Sequence, residues 1–175
     1  KLFKVGDRVS HASMPIGAYS EKHIMPENKL VPVPDGVSDE VASCVTLKGI
    51  TAEYLLHRAY PLKKGDKVLY HAAAGALGQI LCPWANSIGA EIIGTVGSKE
   101  KEEIAKKNGC HHVINYTDKN FVEEVEKIVG KNGIDVVYDG VGLKTFEGSI
   151  EVLKIRGMMV AFGNASGYVD TIDVK

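Results

Sequence analysis

The segment KVLYHAAAGALG, residues 67–78, carries the residue types in this 175-residue chain that are best suited to binding an anion. It begins with an apolar run that predicts a buried strand, and the residues after it, 79–88, predict a helix. Between them lies the pattern Ala73-x-Gly75-x-x-Gly78, with Ala at the first position of the G-x-G-x-x-G fingerprint. Gly75 lets the backbone approach a pyrophosphate, and Gly78 lets the helix pack closely on the strand. Amides of the turn and the positive end of the helix dipole then attract the anion.

This fingerprint is weak by itself, because a small-residue turn between strand and helix also occurs without a ligand. A site selective for NAD carries Asp or Glu about 20 residues after the last glycine, to bind the ribose 2′-hydroxyl. This chain has Gly97 near that position, followed by Ser98 and Lys101. Gly leaves room for a 2′-phosphate, Ser donates to it and Lys neutralises it, so the pattern favours NADPH. The alternative left open is a solvated helix start, although cations there oppose the helix dipole.

Composition and charge define the broad class of protein. Contents of 45% hydrophobic and 25% charged residues are typical of a soluble globular domain. The net charge of −1 gives no electrostatic reason to expect binding to nucleic acid or to an anionic membrane. The apolar runs are shorter than the ~20 residues of a membrane span. Cys44, Cys82 and Cys110 form no C-x-x-C pair and no disulfide framework, so a cytoplasmic location is expected.

Strands and helices that alternate from residue 67 onward must position the candidate site. Short apolar strands between helices are typical of a parallel sheet covered on both faces. We predict an α/β, Rossmann-like doubly wound sheet with five strands in the order 3-2-1-4-5 and ligand at their carboxyl ends. The predicted strands after the first are 91–96, 112–115, 135–138 and 158–162, and the predicted helices are 79–88, 99–108, 120–129 and 144–153.

Residues 1–35 have a different character, with short extended segments separated by Gly and Pro. So few short strands cannot bury a core of their own. They either pack on the rest of the chain or are a remnant of another domain, and we expect the remnant. Ser38 then caps a predicted helix, which is expected to break at Gly49 and resume at 51–57. The predicted strands of this first part lie near residues 5–9, 18–24 and 30–34.

Seven blocks of sequence resemble the zinc-free quinone oxidoreductases (zeta-crystallin-like) of the medium-chain dehydrogenase/reductase superfamily. The blocks are GAYSEKH, LKGITAEYLL, HAAAGALG, GTVGSKEK, VINY, VVYDGVG and AFGNASG. The resemblance covers the whole chain and implies an NADPH-dependent oxidoreductase that transfers a hydride directly to a quinone or a conjugated carbonyl such as an enone. It also implies two domains: 1–40 as the C-terminal part of a GroES-like domain, and 41–175 as the NADPH-binding domain without its last strand.

The resemblance assigns cofactor contacts to residues of this chain, and it leaves the catalytic residues unassigned. It implies that Tyr116 lies by the adenine or its phosphate and that Thr51 lies near the nicotinamide carboxamide. His71 is expected to hydrogen-bond to the backbone, and Asp139 to cap the turn after its strand. The remaining implied contacts are Ala73, Ala74, Gly75, Ala76, Leu77 and Gly78 for the pyrophosphate, Gly97, Ser98 and Lys101 for the 2′-phosphate, and Phe162, Gly163 and Asn164 for the nicotinamide half.

No metal site is predicted. Zinc alcohol dehydrogenases of the same superfamily carry a zinc-binding Cys at the place of Leu47 and a four-Cys lobe where this chain has only residues 10–16. His11 and His23 have no Cys close in sequence, and zinc needs three or four converging ligands. Quinones and enones are already electrophilic, so hydride transfer to them needs less help than alcohol oxidation.

Two other functions stay open at this stage. The chain is either an NADPH-binding module that catalyses little, or a structural fragment with little activity. No sixth strand is predicted, so the strand at 158–162 would be an unpaired apolar edge, which invites a homodimer or aggregation. NADPH consumption with a quinone separates enzyme from module, and light scattering across concentration tests the edge.

Overall fold

The computed structural model describes residues 2–172 of the chain. The chain divides into two compact units, Lys1–Thr51 and Ala52–Lys175. This division falls inside the first α-helix, α1, which spans Asp39–Tyr54. The assignment of residues 1–40 to a GroES-like domain and of 41–175 to a nucleotide-binding domain stays a prediction.

Two very short strands form the sheet of the first unit. Strand β1 (Val9–Ser10) pairs antiparallel with β2 (Val31–Pro32), inside or beside the extended segments predicted there. A 3-10 helix at Glu27–Lys29 precedes β2. The strand predicted at 18–24 is wrong, because the Ser20 hydroxyl donates to the carbonyls of residues 17 and 22 and holds this segment in a bend.

Helix α1 begins as the sequence predicts and continues further. The Ser38 hydroxyl oxygen accepts a hydrogen bond from the Val41 amide at 3.3 Å, which confirms the predicted cap. The predicted break at Gly49 is wrong, because the helix runs through it and the Thr51 hydroxyl donates to the carbonyl of Leu47, one turn back. One glycine costs a helix only about 1 kcal/mol, too little to end it. A π-helical turn, Leu55–Ala59, follows.

A five-stranded parallel sheet forms the second unit. Its order, β5-β4-β3-β6-β7, is the predicted 3-2-1-4-5 counted from β3, so the doubly wound fold is confirmed. The strands are β3 (Lys67–Tyr70), β4 (Glu91–Val96), β5 (His112–Asn115), β6 (Ile134–Asp139) and β7 (Leu153–Ala161). The helices between them are α2 (Gly78–Ile88), α3 (Lys99–Lys107), α4 (Phe121–Val129) and α5 (Phe146–Glu151).

Apolar side chains cover both faces of this sheet. Successive residues of a strand point to opposite faces. Val68 and Tyr70 of β3 therefore join one buried cluster, with Leu81 of α2, while Leu69 joins another, with Val125 of α4. Burial on both faces explains why the strands read as continuous apolar runs.

The last helix and strand differ from their predicted bounds. Helix α5 ends at Glu151 and β7 already begins at Leu153, whereas the helical pattern predicts one helix through 153. The side-chain amide of Asn132 donates to the carbonyls of both Glu151 and Leu153 and so stabilises the change of direction. The pairing of β6 with β7 also shifts register between Ile134 and Val136. On β7 this irregularity falls at Arg156, which has a positive φ of 67°, and at Gly157, a residue type that often marks a bulge inside a strand.

Candidate functional site

The turn after β3 presents the small residues at the carboxyl end of the sheet. Ala72 adopts a left-handed conformation, with φ of 59°, and its carbonyl accepts a hydrogen bond from the Gly75 amide at 2.8 Å. The Ala73 amide donates to the carbonyl of Thr95 at 3.0 Å, which holds the turn against the end of β4. The backbone of the turn is therefore fixed by the two central strands.

The start of α2 is open toward this turn. Among residues 2–172, the backbone amides of Ala76, Leu77 and Gly78 have no carbonyl partner, and no side chain caps the helix. Such free amides and the helix dipole together favour an anion. A Cβ atom on Gly78 would lie 2.7 Å from the carbonyl carbon of Ala73. Only glycine therefore permits this close approach of helix and turn.

A small cavity of about 110 Å³ joins the turn to the end of β4. Tyr116, the residue after β5, lies over Gly97, since a Cβ on Gly97 would come within 2.6 Å of the tyrosine hydroxyl oxygen. The Tyr116 amide donates to the carbonyl of Val96 at 3.1 Å, which keeps the ring at this position. The lining residues are Ala72, Ala74, Gly75, Val96, Gly97, Lys101 and Tyr116.

Lys101 supplies the positive charge of this cavity. Its side chain is exposed, and within the described part of the chain it forms no ion pair. Ser98 lies next to Gly97, at the start of α3, outside the lining residues. The backbone amide of Glu100 and the Ser98 hydroxyl lower the pKa of the Glu100 carboxyl. The structure thus brings Gly75, Gly97 and Lys101 together and leaves Ser98 beside them.

A larger groove, of about 740 Å³, shares Ala72 and Tyr116 with the small cavity. It includes residues that our sequence reasoning missed, among them Lys119 and Lys144, which follow β5 and β6. Their position just after parallel strands was the available signal, because the carboxyl ends of such strands share one edge of the sheet. The other lining residues are Asn120, Phe121, Val141, Thr145, Ala165 and Ser166.

Residues after β7 form a separate part of the same sheet edge. Phe162, Gly163 and Asn164 line a cavity of about 460 Å³ beside Asp139. The Phe162 ring stacks on Tyr70, with centroids 6.4 Å apart and planes inclined by 12°. These three residues lie in a different cavity from Gly75 and Lys101, at the opposite side of β6.

Thr51 belongs to the first unit, where its hydroxyl donates to the carbonyl of Leu47 at 2.8 Å. Its role beside a nicotinamide stays a prediction, as do the individual roles of the other candidate contacts.

Five buried polar side chains next to the turn after β3 form hydrogen bonds with one another: His71, Thr95, Asp139, Thr145 and Ser149. His71 Nδ1 is 2.9 Å from the Thr95 hydroxyl, and His71 Nε2 is 2.9 Å from the Ser149 hydroxyl. The expected backbone partner for the His71 ring is therefore wrong, because both ring nitrogens meet side chains. Ser149 and Thr145 donate to Asp139 Oδ2 at 3.2 and 2.7 Å.

Asp139 caps the turn after β6, as predicted. Its Oδ1 accepts from the amides of Val141 and Gly142 at 2.7 and 3.0 Å. Burial lowers the pKa of His71 to about 4, although the nearby Asp139 carboxylate opposes this shift. The imidazole is therefore neutral at pH 7.

In the described part of the chain, no three side chains among His, Cys, Asp and Glu are grouped to hold a metal ion. His11 and His23 of the first unit face each other, with ring nitrogens 3.4 Å apart. No helix within residues 2–172 has the length and apolar character needed to cross a membrane.

The parallel sheet, the glycine turn and the open end of α2 define a Rossmann-like protein of the α/β class. Residues 76–175 match the family of zinc-binding dehydrogenases, and the chain belongs to this family.

Relatives with known names match nearly the whole chain. The 2-haloacrylate reductase of a Burkholderia species is 49% identical over 98% of this chain and 52% of its own length. Quinone oxidoreductase 1 of Escherichia coli is 44% identical over 99% of this chain and 53% of its own. The crystal structure of E. coli quinone oxidoreductase complexed with NADPH superposes with a TM-score of 0.95, at 44% identity and the same coverage. The chain thus spans about half the length of these relatives.

Proposed function

We propose that this chain binds NADPH along the carboxyl edge of its sheet and serves the reduction of a quinone or a conjugated carbonyl. The observation that carries the proposal is the small cavity in which Gly75, Gly97 and Lys101 meet. It combines a turn of small residues, Gly97 near the position at which NAD-selective sites carry a carboxylate, and the positive charge of Lys101. The structures of relatives that were solved with NADPH support the choice of cofactor.

The residues present fit a pyrophosphate and a 2′-phosphate. The free amides of Ala76, Leu77 and Gly78 at the start of α2 suit the pyrophosphate. No acidic side chain lines the small cavity among the described residues, so a 2′-phosphate would meet Lys101 without repulsion. We assign Tyr116 to the adenosine half, because its ring closes this cavity over Gly97.

The nicotinamide half is assigned to Phe162, Gly163 and Asn164, on the other side of β6. When bound, NADPH supplies the hydride. The chain's own part is to hold both ends of the dinucleotide on rigid strand ends, which lowers the entropic cost of reaching the reactive geometry.

We propose that the reduction needs no metal. By the resemblance described above, Leu47 corresponds to the position at which zinc alcohol dehydrogenases carry a Cys ligand. Relatives named quinone oxidoreductase and 2-haloacrylate reductase support an acceptor with a conjugated, electron-poor double bond. Such an acceptor takes a hydride without a Lewis acid to polarise it. We place the reaction in the cytoplasm, since Cys44, Cys82 and Cys110 are all free thiols.

Fluorescence titration with NADPH and with NADH, on the unaltered chain and on Lys101→Ala, tests the cofactor assignment. We expect Lys101→Ala to weaken NADPH binding about tenfold, because one charged contact to the 2′-phosphate is lost. NADH binding should change little. Lys99→Ala is the matched control, since it removes an equally exposed lysine of α3 that lies outside the cavity, and it should leave both affinities unchanged.

Two results would contradict the proposal. An equal loss of NADPH and NADH affinity in Lys101→Ala would mean that this lysine does not read the 2′-phosphate. Failure of the unaltered chain to bind either nucleotide would overturn the site itself. If NADPH binds, its consumption with a simple quinone separates an enzyme from a binding module.

A further inference from the structure

A continuous network of buried hydrogen bonds links the turn after β3 to the turn after β6. Thr95, His71, Ser149 and Asp139 follow one another at 2.9, 2.9 and 3.2 Å. Each of these residues is at most 1% exposed. Each comes from a different element or its end: β4, the end of β3, α5 and β6.

Each hydrogen bond of this network has a definite donor and acceptor. Asp139 Oδ2 can only accept, so the single hydroxyl hydrogen of Ser149 points to it. Ser149 must then accept from His71 Nε2–H, which leaves Nδ1 as an acceptor for the Thr95 hydroxyl. The neutral Nε2–H tautomer of His71 is the form in which every contact holds one hydrogen.

Both ends of this hydrogen-bond network contact backbone that forms the proposed nucleotide site. The Thr95 carbonyl accepts from the Ala73 amide, and His71 directly precedes Ala72, which lines the small cavity. At the other end, Asp139 Oδ1 holds the amides of the turn that begins at Gly140. That turn packs on Gly163, since a Cβ there would lie 2.7 Å from the Gly140 carbonyl oxygen. The network therefore extends from the pyrophosphate turn to the residues assigned to the nicotinamide half.

We propose that Thr95, His71 and Ser149 are positioning residues that set the pyrophosphate turn and the turn after β6 at the spacing that one dinucleotide requires. None of the three lines any of the cavities described at this sheet edge, so they act through the backbone. This inference rests on the proposed function. It predicts that a ligand which bridges both turns depends on these hydrogen bonds, whereas a ligand that contacts only the β3 side of the site does not.

Two probes separate these cases. NADPH would bridge both turns, whereas adenosine 2′,5′-bisphosphate would place its 2′-phosphate in the Lys101 cavity and its 5′-phosphate at the turn after β3, without reaching the turn after β6. Thr95→Val and Ser149→Ala each remove one hydroxyl with little change in shape. We expect each to weaken NADPH binding about tenfold, the equivalent of one lost hydrogen bond, and to change bisphosphate binding less than about twofold. Thr95→Ser keeps the hydroxyl and should bind NADPH as tightly as the unaltered chain does.

Ile134→Val controls for general loss of stability. It removes one methyl group from the buried amino end of β6 and should change neither affinity. A second measurement needs no variant: the ring ¹⁵N shifts of His71 in the unaltered chain should report the neutral Nε2–H tautomer.

The outcomes separate this inference from the proposed function. If the unaltered chain binds NADPH and both hydroxyl variants bind it equally well, the positioning role is wrong and the proposed function stands. An equal loss for NADPH and the bisphosphate would show a merely structural role and also overturns it, as does an Nδ1–H tautomer. If the unaltered chain binds no NADPH, the proposed function fails and this inference falls with it.

Discussion

His71 is a residue whose chemistry is set by burial. Both ring nitrogens are occupied by hydroxyl groups, and Phe121 packs edge-on against the ring at a centroid distance of 5.1 Å. A proton added to this ring would have to displace the hydrogen of Thr95 and would introduce a charge into an apolar interior. The Asp139 carboxylate, two hydrogen bonds away, offsets only part of that cost, so the pKa is lowered to about 4.

This shift predicts a pH dependence of stability. An unfolded histidine binds a proton below about pH 6.5, whereas folded His71 does so only near pH 4. The unfolded state therefore holds more protons between these values, and the free energy of unfolding should rise with pH across this range, by up to about 3 kcal/mol. Above pH 6.5 this contribution is complete.

Urea denaturation between pH 4 and 7.5 measures this slope. In His71→Asn the slope should be smaller by the histidine's share, while carboxylates that titrate in the same range contribute equally to both proteins. Parallel curves of unfolding free energy against pH for His71→Asn and the unaltered chain would contradict this prediction, because they would mean that His71 binds its proton over the same pH range in the folded and unfolded states.

At the scale of elements, two helices show opposite uses of glycine. Gly78 begins α2, and a side chain there would collide with the backbone of Ala73. Gly49 lies in the middle of α1, where an added Cβ would meet nothing within 4 Å. The first glycine is required by packing, whereas the second only adds conformational entropy to the unfolded chain.

The same substitution should therefore have opposite effects at the two positions. Gly78→Ala should lower the free energy of unfolding by about 2 kcal/mol and abolish NADPH binding, because the backbone must move. Gly49→Ala should raise the free energy of unfolding by roughly 0.5–1 kcal/mol. Urea unfolding of both variants, with unchanged m-values, gives these differences. Destabilisation of similar size by both would show that packing at Gly78 is not special.

At the scale of the whole molecule, β7 forms one edge of the large sheet among the described residues. Ile155 is 89% exposed and Met158 is 44% exposed on this strand. An exposed strand edge with apolar side chains is a template for pairing with another chain. This edge therefore predicts self-association of the chain.

We expect the molar mass of the chain by light scattering to grow with concentration. Met158→Lys should reduce this growth, because a charge on an edge strand opposes pairing. The matched control is Ile104→Lys, which changes a similarly exposed apolar residue on α3 and should have little effect. A constant molar mass would contradict the prediction, and equal effects of both variants would point to general hydrophobic association instead.

The sequence by itself determined the sheet order, the parallel direction and the glycine turn. Those features depend on local patterns: apolar runs of strand length, helices between them, and Gly75 and Gly78 at the spacing that a tight turn requires. Gly75, Gly97 and Lys101 of the small cavity were predictable from motif spacing, whereas Tyr116 was implied only by the family resemblance, and Ala72 and Val96 were not predicted. The bend held by the Ser20 hydroxyl was not predictable, since it depends on hydrogen bonds from one side chain to the carbonyls of residues 17 and 22.

Only the tertiary structure decided which side chains meet. The partners of His71 lie 24 and 78 residues away in sequence, and those of Asn132 lie 19 and 21 residues away. Periodicity records whether a position is buried, because burial repeats along one element. The choice of a hydrogen-bond partner depends instead on how far apart two elements pack, within a few tenths of an ångström, and no local pattern encodes that distance.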